Sequence, residues 1–122
     1  MRTLLDFFLA HGWKVTDVFG SFQSWRTFPH RGIDLGGFKT GGPIYSPVNG
    51  TVMVAGKDSS YGNWIKFRTL SGIEVRTAHH QTLHVKKGQT VRVGDLIAAN
   101  GATGEANGPH IHLEVLVNNK LQ

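Results

Sequence analysis

Near the end of the chain, GPHIHLEV (Gly108 to Val115) sets His110, His112 and Glu114 two residues apart. On a β-strand alternate side chains share a face. Both imidazoles and the carboxylate would then project to one side, with Ile111, Leu113 and Val115 entering a core. A second pair, His30 and Asp34, stands four apart in HRGIDLGG. Gly32, Gly36 and Gly37 argue against a helix there, and an extended segment also places positions i and i+4 on one face. A His and an Asp from one segment with a His from another give three nitrogen and oxygen ligands. Three protein ligands are the recurring share of a catalytic zinc site. The chain has no Cys, so thiolate sites are ruled out. Imidazole and carboxylate suit zinc, and less selectively cobalt or manganese. His79 and His80 add two further imidazoles. Each feature alone has a plain explanation: a chance pair, a polar sheet face, a solvated strand end. Their joint occurrence in a β-rich chain is what argues for a site.

The elements that would position these residues are mostly short strands. Val15 to Phe22 reads as a strand and turn, and Ser24 to Gly42 as loop. Gly50 to Ala55 is a strand opened by the Asn49-Gly50 turn signal. In NWIKFRT, Trp64, Lys66 and Arg68 alternate against Ile65 and Phe67. Ser71-Gly72 makes a turn, and Ile73 to Ala78 alternates again, so the pair predicts an antiparallel hairpin. Val85 to Val93 carries two turn units, KKGQ and RVGD. Leu96 to Ala99 and His110 to Val117 complete the set. Only the first ten residues show helical spacing, in LLDFFLAHGW, which contains Asp6 and is far too short to span a bilayer. The fold class expected is therefore all-β or β-rich, with a short N-terminal helix.

A length of 122 residues suits one domain with a real core. With 39% hydrophobic and 17% charged residues the chain is globular rather than disordered. The formal charge of +5 first suggests nucleic acid. Yet the cations are scattered, only Lys86 and Lys87 are adjacent, and no nucleic-acid signature accompanies them. No nucleic-acid or membrane partner is expected. A basic enzyme acting on an anionic matrix such as a cell wall explains the charge equally well.

The order of motifs resembles the LytM/lysostaphin-type zinc metallopeptidases, which cut peptide bonds in bacterial peptidoglycan. It runs HRGID (His30 to Asp34), PIYSPVNGTV, YGN (Tyr61 to Asn63), AHH (Ala78 to His80), VKKGQTVRVGDLI and TGEANGPHIHLE. The resemblance covers roughly Val15 to Val117. It divides the chain into an N-terminal segment, residues 1–14, and a metallopeptidase domain, residues 15–122. It implies an antiparallel β-sheet crossed by a substrate groove walled by loops. It implies His30, Asp34 and His112 as zinc ligands, and His79 and His110 as catalytic histidines. Tyr61 and Asn63 fall on a loop that borders the groove in the family and are expected substrate contacts. Glu114 is an expected partner that orients a liganding imidazole. Three places depart from the pattern: Thr77 stands where Tyr is common, His80 where Leu is common, and Ser21-Phe22-Gln23 where Arg often follows the F-G of the first segment.

The function implied is a zinc-dependent endopeptidase acting on stem or cross-bridge peptides of peptidoglycan, at the cell wall or otherwise extracellular. The alternative is a noncatalytic module of the same fold that binds peptidoglycan or activates another hydrolase. VKKGQTVRVGDLIA also resembles half of a biotinyl or lipoyl carrier domain, but no modifiable Lys at an M-K-M-like turn accompanies it. No targeting signal is visible. That suits a phage tail tip, hence a virion, or a domain of a larger secreted or envelope-anchored protein.

Overall fold

The structure is a computed structural model that describes residues 2–17, 32–104, 108–117 and 120–121. Helix α1 (Arg2–Ala10) is followed by β1 (Lys14–Asp17), β2 (Ile33–Gly36), β3 (Pro43–Tyr45), β4 (Gly50–Asp58) and β5 (Gly62–Arg68). Then come β6 (Glu74–His80), β7 (Thr82–Leu83), β8 (Thr90–Val91), β9 (Leu96–Ala99), β10 (Ile111–Val117) and β11 (Lys120–Leu121). The large sheet runs β1-β2-β10-β6-β5-β4-β8, with β11 added to one end of β10. A second sheet, β3-β9-β7, packs beside it. All the pairings are antiparallel.

Period-two patterning decides which face is buried. Ile65 and Phe67 on β5, Val75 on β6, Leu35 on β2, and Ile111, Leu113 and Val115 on β10 are all buried in one hydrophobic cluster. Removing each such side chain from water contributes roughly 1.5–3 kcal/mol. Leu4 and Phe8 of α1, with Trp13 after it, are buried in the same cluster. Among the described residues no helix is long and apolar enough to cross a membrane.

The expected hairpin is present, with β4, β5 and β6 adjacent in the sheet. One expectation needs correcting. Ser24 to Gly42 reads as loop in the sequence, yet Ile33–Gly36 is a strand between β1 and β10. Its glycines mask an apolar alternation of Ile33 and Leu35 around Asp34, and pairing on both sides outweighs the weak local propensity. Of the strand expected over Val15 to Phe22, β1 covers the first part, and residues 18–22 lie outside the described residues.

Candidate active site

The face of the large sheet opposite the core carries the chemistry. Asp34 lies directly opposite His112, and Glu114 directly opposite Arg76. Facing residues on paired strands project to the same side. The four side chains therefore share one face, as the HxHxE spacing predicts for His112 and Glu114.

His112 is held from both ends. Its Nε2 is 2.7 Å from Glu114 Oε2, and its Nδ1 is 3.0 Å from Asp34 Oδ1. Glu114 is 2% exposed. It also accepts the Tyr61 hydroxyl, at 2.9 and 3.0 Å from its two oxygens, and Arg76 Nη1 at 3.4 Å. Burial alone would raise the Glu114 pKa, but the bonds and charges of His112, Tyr61 and Arg76 bring it below its usual range. Glu114 is thus an anion, and Nε2 of His112 donates to it.

A single proton on Nε2 would leave the Nδ1 lone pair facing the Asp34 carboxylate at 3.0 Å. Two electron pairs that close repel unless a cation lies between them. A proton meets that demand: burial pushes His112 down, but Asp34 and Glu114 outweigh it and raise the pKa to about 9. A divalent metal ion taking one nitrogen and one oxygen ligand meets the same demand. A carboxylate behind a liganding imidazole is a recurring feature of metal sites. Asp34 and His112 therefore fit a zinc ion. The described residues do not by themselves supply a group of three ligands, and His30, the expected third, lies outside the described residues.

Two further imidazoles flank this pair. The His79 ring lies 4.8 Å from that of His110 and 6.0 Å from that of His112. His79 Nδ1 is 2.7 Å from the Thr103 carbonyl, and His110 Nδ1 is 2.8 Å from the Gly108 carbonyl. A carbonyl only accepts, so both Nδ1 atoms carry hydrogen. In each ring Nε2 is then the nitrogen left for proton exchange. His110 Nε2 stands 3.6 Å from Asp34 Oδ1. Burial drives the His79 pKa down to about 4 against the pull of the Thr103 bond, with the neighbouring imidazoles adding to the fall. His79 is therefore neutral at pH 7, with a bare Nε2.

His79 reaches this place through a bulge. Asn63 pairs with His80 and Ile65 with Thr77, so β6 spends one more residue than β5. His79 takes the left-handed backbone, φ 69°, a conformation that costs a non-glycine residue about 1–2 kcal/mol. Bulges next to active sites re-aim side chains in this way. The extra residue turns His79 toward the site and His80 inward. His80 is fully buried, with Nε2 2.8 Å from Thr77 Oγ1 and, among the described residues, no partner for Nδ1. These two departures from the family pattern thus bond each other, and His80 leaves the place beside Asp34 and His112 to His79. Neither histidine forms a solvated strand end.

Tyr61 and Asn63 are turned toward the protein. The Tyr61 hydroxyl is engaged with Glu114, and the Asn63 amide donates to the His80 and Gln81 carbonyls at 3.1 and 3.0 Å. Thr103 is a residue the motif reading did not single out. Its hydroxyl donates to the His80 carbonyl at 2.7 Å and accepts the Asn63 N–H at 3.0 Å. Gly62 (φ 67°) and Gly104 (φ 71°) lie backbone against backbone beside it, where a Cβ on either would overlap the other's loop. That contact locks the loop carrying Thr103 to the start of β5. The signal was present as the paired YGN and TG motifs, but only the fold shows that they touch.

Residues 28–122 match the profile of Peptidase family M23. Peptidoglycan DD-endopeptidase ShyB of Vibrio cholerae is 42% identical over 95 residues, which cover 78% of this chain and 22% of that protein. The chain thus spans about a fifth of the length of that curated relative. Among solved structures, a zinc-containing peptidase from Vibrio cholerae superposes with a TM-score of 0.82 at 36% identity, covering 90% of this chain and 35% of the other. The catalytic domain of lysostaphin from Staphylococcus simulans superposes with a TM-score of 0.84 at 24% identity, covering 93% and 90%, and shares the fold.

Proposed function

The chain belongs to peptidase family M23, and on that premise we propose that it is a zinc-dependent endopeptidase hydrolysing stem or cross-bridge peptides of bacterial peptidoglycan. The observation that carries this reading is the clamped His112. It is fixed by Glu114 on one side and faces Asp34 on the other, with the exchangeable nitrogens of His79 and His110 alongside. His30, Asp34 and His112 would hold the metal. Zinc supplies a Lewis acid that acidifies water and polarises a carbonyl.

The chain's own residues then manage protons. His79, kept neutral by burial, accepts one at Nε2, while Thr103 keeps Nδ1 occupied. His110 exchanges a proton at its own Nε2 and lies close enough to His79 for both to serve one substrate. The name of the Vibrio relative supports peptidoglycan as substrate, and the +5 charge suits an anionic wall. The low coverage of the relatives supports a place within a larger protein, and the peptidoglycan named for the Vibrio relative supports action outside the cytoplasm, in the periplasm, at the wall or as part of a phage tail.

The test is zinc content of the purified protein, paired with release of amino groups from purified peptidoglycan with and without a chelator. About one zinc per chain and chelator-sensitive release are expected. Zinc-free protein, or release that a chelator leaves untouched, would overturn the proposal.

A further inference from the structure

Behind Glu114, away from the metal ligands, runs a chain of oriented hydrogen bonds. The Arg76 guanidinium can only donate, and its Nη1 lies 3.3 Å from the Tyr61 hydroxyl oxygen. Tyr61 therefore accepts from Arg76 and turns its own hydrogen onto the two Glu114 oxygens at 2.9 and 3.0 Å. Glu114 Oε2 accepts from His112 Nε2 at 2.7 Å, and Oε1 lies 3.4 Å from Arg76 Nη1. Arg76 is anchored in turn by Glu74 at 2.7 Å, and Glu74 also meets Lys66 at 3.3 Å. The Tyr61 ring is steadied against Trp64, centroids 4.9 Å apart. Each bond in the run has only one possible direction, and the run ends on one nitrogen of His112.

We propose that Tyr61 and Arg76 are positioning residues that act through Glu114 to hold His112 in the tautomer presenting Nδ1 to the metal. This rests on the zinc reading above. Glu114 cannot fix the imidazole unless its own oxygens are fixed, because a carboxylate with one partner rotates freely about its last torsion. Tyr61 pins both oxygens at once, and Arg76 sets which way the Tyr61 hydrogen points. The Tyr61 hydroxyl is thereby committed to the metal site and is not offered to substrate.

Zinc affinity measured by competition with a chromogenic chelator tests this, on wild type, Tyr61→Phe, Glu114→Gln and the double variant, with thermal melts to confirm folding. Loss of a partner behind a metal ligand typically weakens binding about 10–100-fold. Tyr61→Phe is expected near the lower end and Glu114→Gln nearer the upper. The double variant should be no weaker than Glu114→Gln, since the Tyr61 hydroxyl acts through Glu114 and Phe keeps the ring contact with His112, centroids 6.2 Å apart. At saturating zinc the KM of Tyr61→Phe for a peptidoglycan fragment should match wild type. Should Glu114→Gln fail to fold, Arg76→Gln gives a second test: it releases the orientation of the Tyr61 hydrogen and should weaken zinc binding in the same direction as Tyr61→Phe, and unchanged affinity would count against the inference. Unchanged zinc affinity in Tyr61→Phe, multiplying losses in the double variant, or a raised KM at wild-type affinity would each overturn the inference and make Tyr61 a groove contact. Wild-type protein that holds no zinc would overturn the functional reading first, and this one with it.

Discussion

The buried pair of Thr77 and His80 offers a perturbation whose sign can be worked out from the structure. Both residues are fully buried, and among the described residues their side chains bond each other. Thr77→Val strips His80 of its one partner, and His80→Leu strands the Thr77 hydroxyl. Each single change should cost about 1–3 kcal/mol, the penalty of an unsatisfied buried polar group. The double variant removes the hydroxyl, the imidazole and the unpartnered Nδ1 together, so it should be as stable as wild type or more so. The coupling between the sites should then equal the sum of the two single penalties, about 2–6 kcal/mol. pH adds an independent reading. Burial, with the charge of His79, lowers the His80 pKa from 6.5 to about 3. The unfolded chain therefore binds a proton below pH 6.5 that the folded chain refuses. Stability falls as pH drops from 6.5 toward 3, by up to about 1.4 kcal/mol per pH unit. Between pH 7.5 and 5.5 His80 alone should contribute a loss of about 1.4 kcal/mol. His79, lowered to about 4, adds a loss in the same window. Urea unfolding at those two pH values should show a smaller loss in the double variant than in wild type. Additive single changes with an unaltered pH slope would refute the buried, neutral His80 on which the argument rests.

Three further outcomes follow from the site. His79→Ala and His110→Ala should each retain zinc while losing about 10²–10⁴-fold in kcat, the usual share of a proton-transfer group; metal analysis with steady-state assay separates the two effects, and an emptied metal site would break the division of roles. Asp34→Ala should lose zinc and activity together, since Asp34 faces His112 Nδ1 directly, which equilibrium dialysis against zinc would show. Gly104→Ala should destabilise the fold by about 2–4 kcal/mol, combining a left-handed backbone penalty with overpacking against Gly62. Because that loop carries the Thr103 carbonyl, any Gly104→Ala protein that still folds should lose kcat more than zinc, as titration and kinetics on one sample would reveal.

Much of the fold follows from period-two alternation, and its failures have physical causes. β5, β6, β9 and β10 were legible because their apolar residues alternate and turn residues bound them. β2 was not, because glycines on both sides of Ile33–Gly36 lower its local propensity, and only pairing with β1 and β10 makes it a strand. The same limit governs the site. His112 and Glu114 were legible as side chains on one strand face, since alternation alone places them together, whereas Asp34 joins them only because β2 pairs with β10. Arg76 was hidden: its partnership with Glu114 depends on β6 lying next to β10, a pairing between strands 38 residues apart in the bond they share.

His79 and His80 show where alternation itself gives way. Two adjacent residues on a regular strand point to opposite faces, so a strict reading puts one imidazole on the chemical side and one in the core. It does not say which. The answer is set by the extra residue in β6, because Thr77 and His80, three apart, end on the same buried side. In an unbulged strand Thr77 and His79 would share that side, and His80 would take the outward place. The bulge is held by atoms without a side-chain signature: the Tyr61 carbonyl accepts the His79 N–H at 2.8 Å, and the Thr103 carbonyl accepts its Nδ1–H. The strained φ of His79 is therefore stabilised by the same contact that fixes its tautomer. The strained backbone and the placement of the His79 ring are thus held by the Tyr61 and Thr103 carbonyls, which the packing of Gly62 on Gly104 brings beside the extra residue of β6.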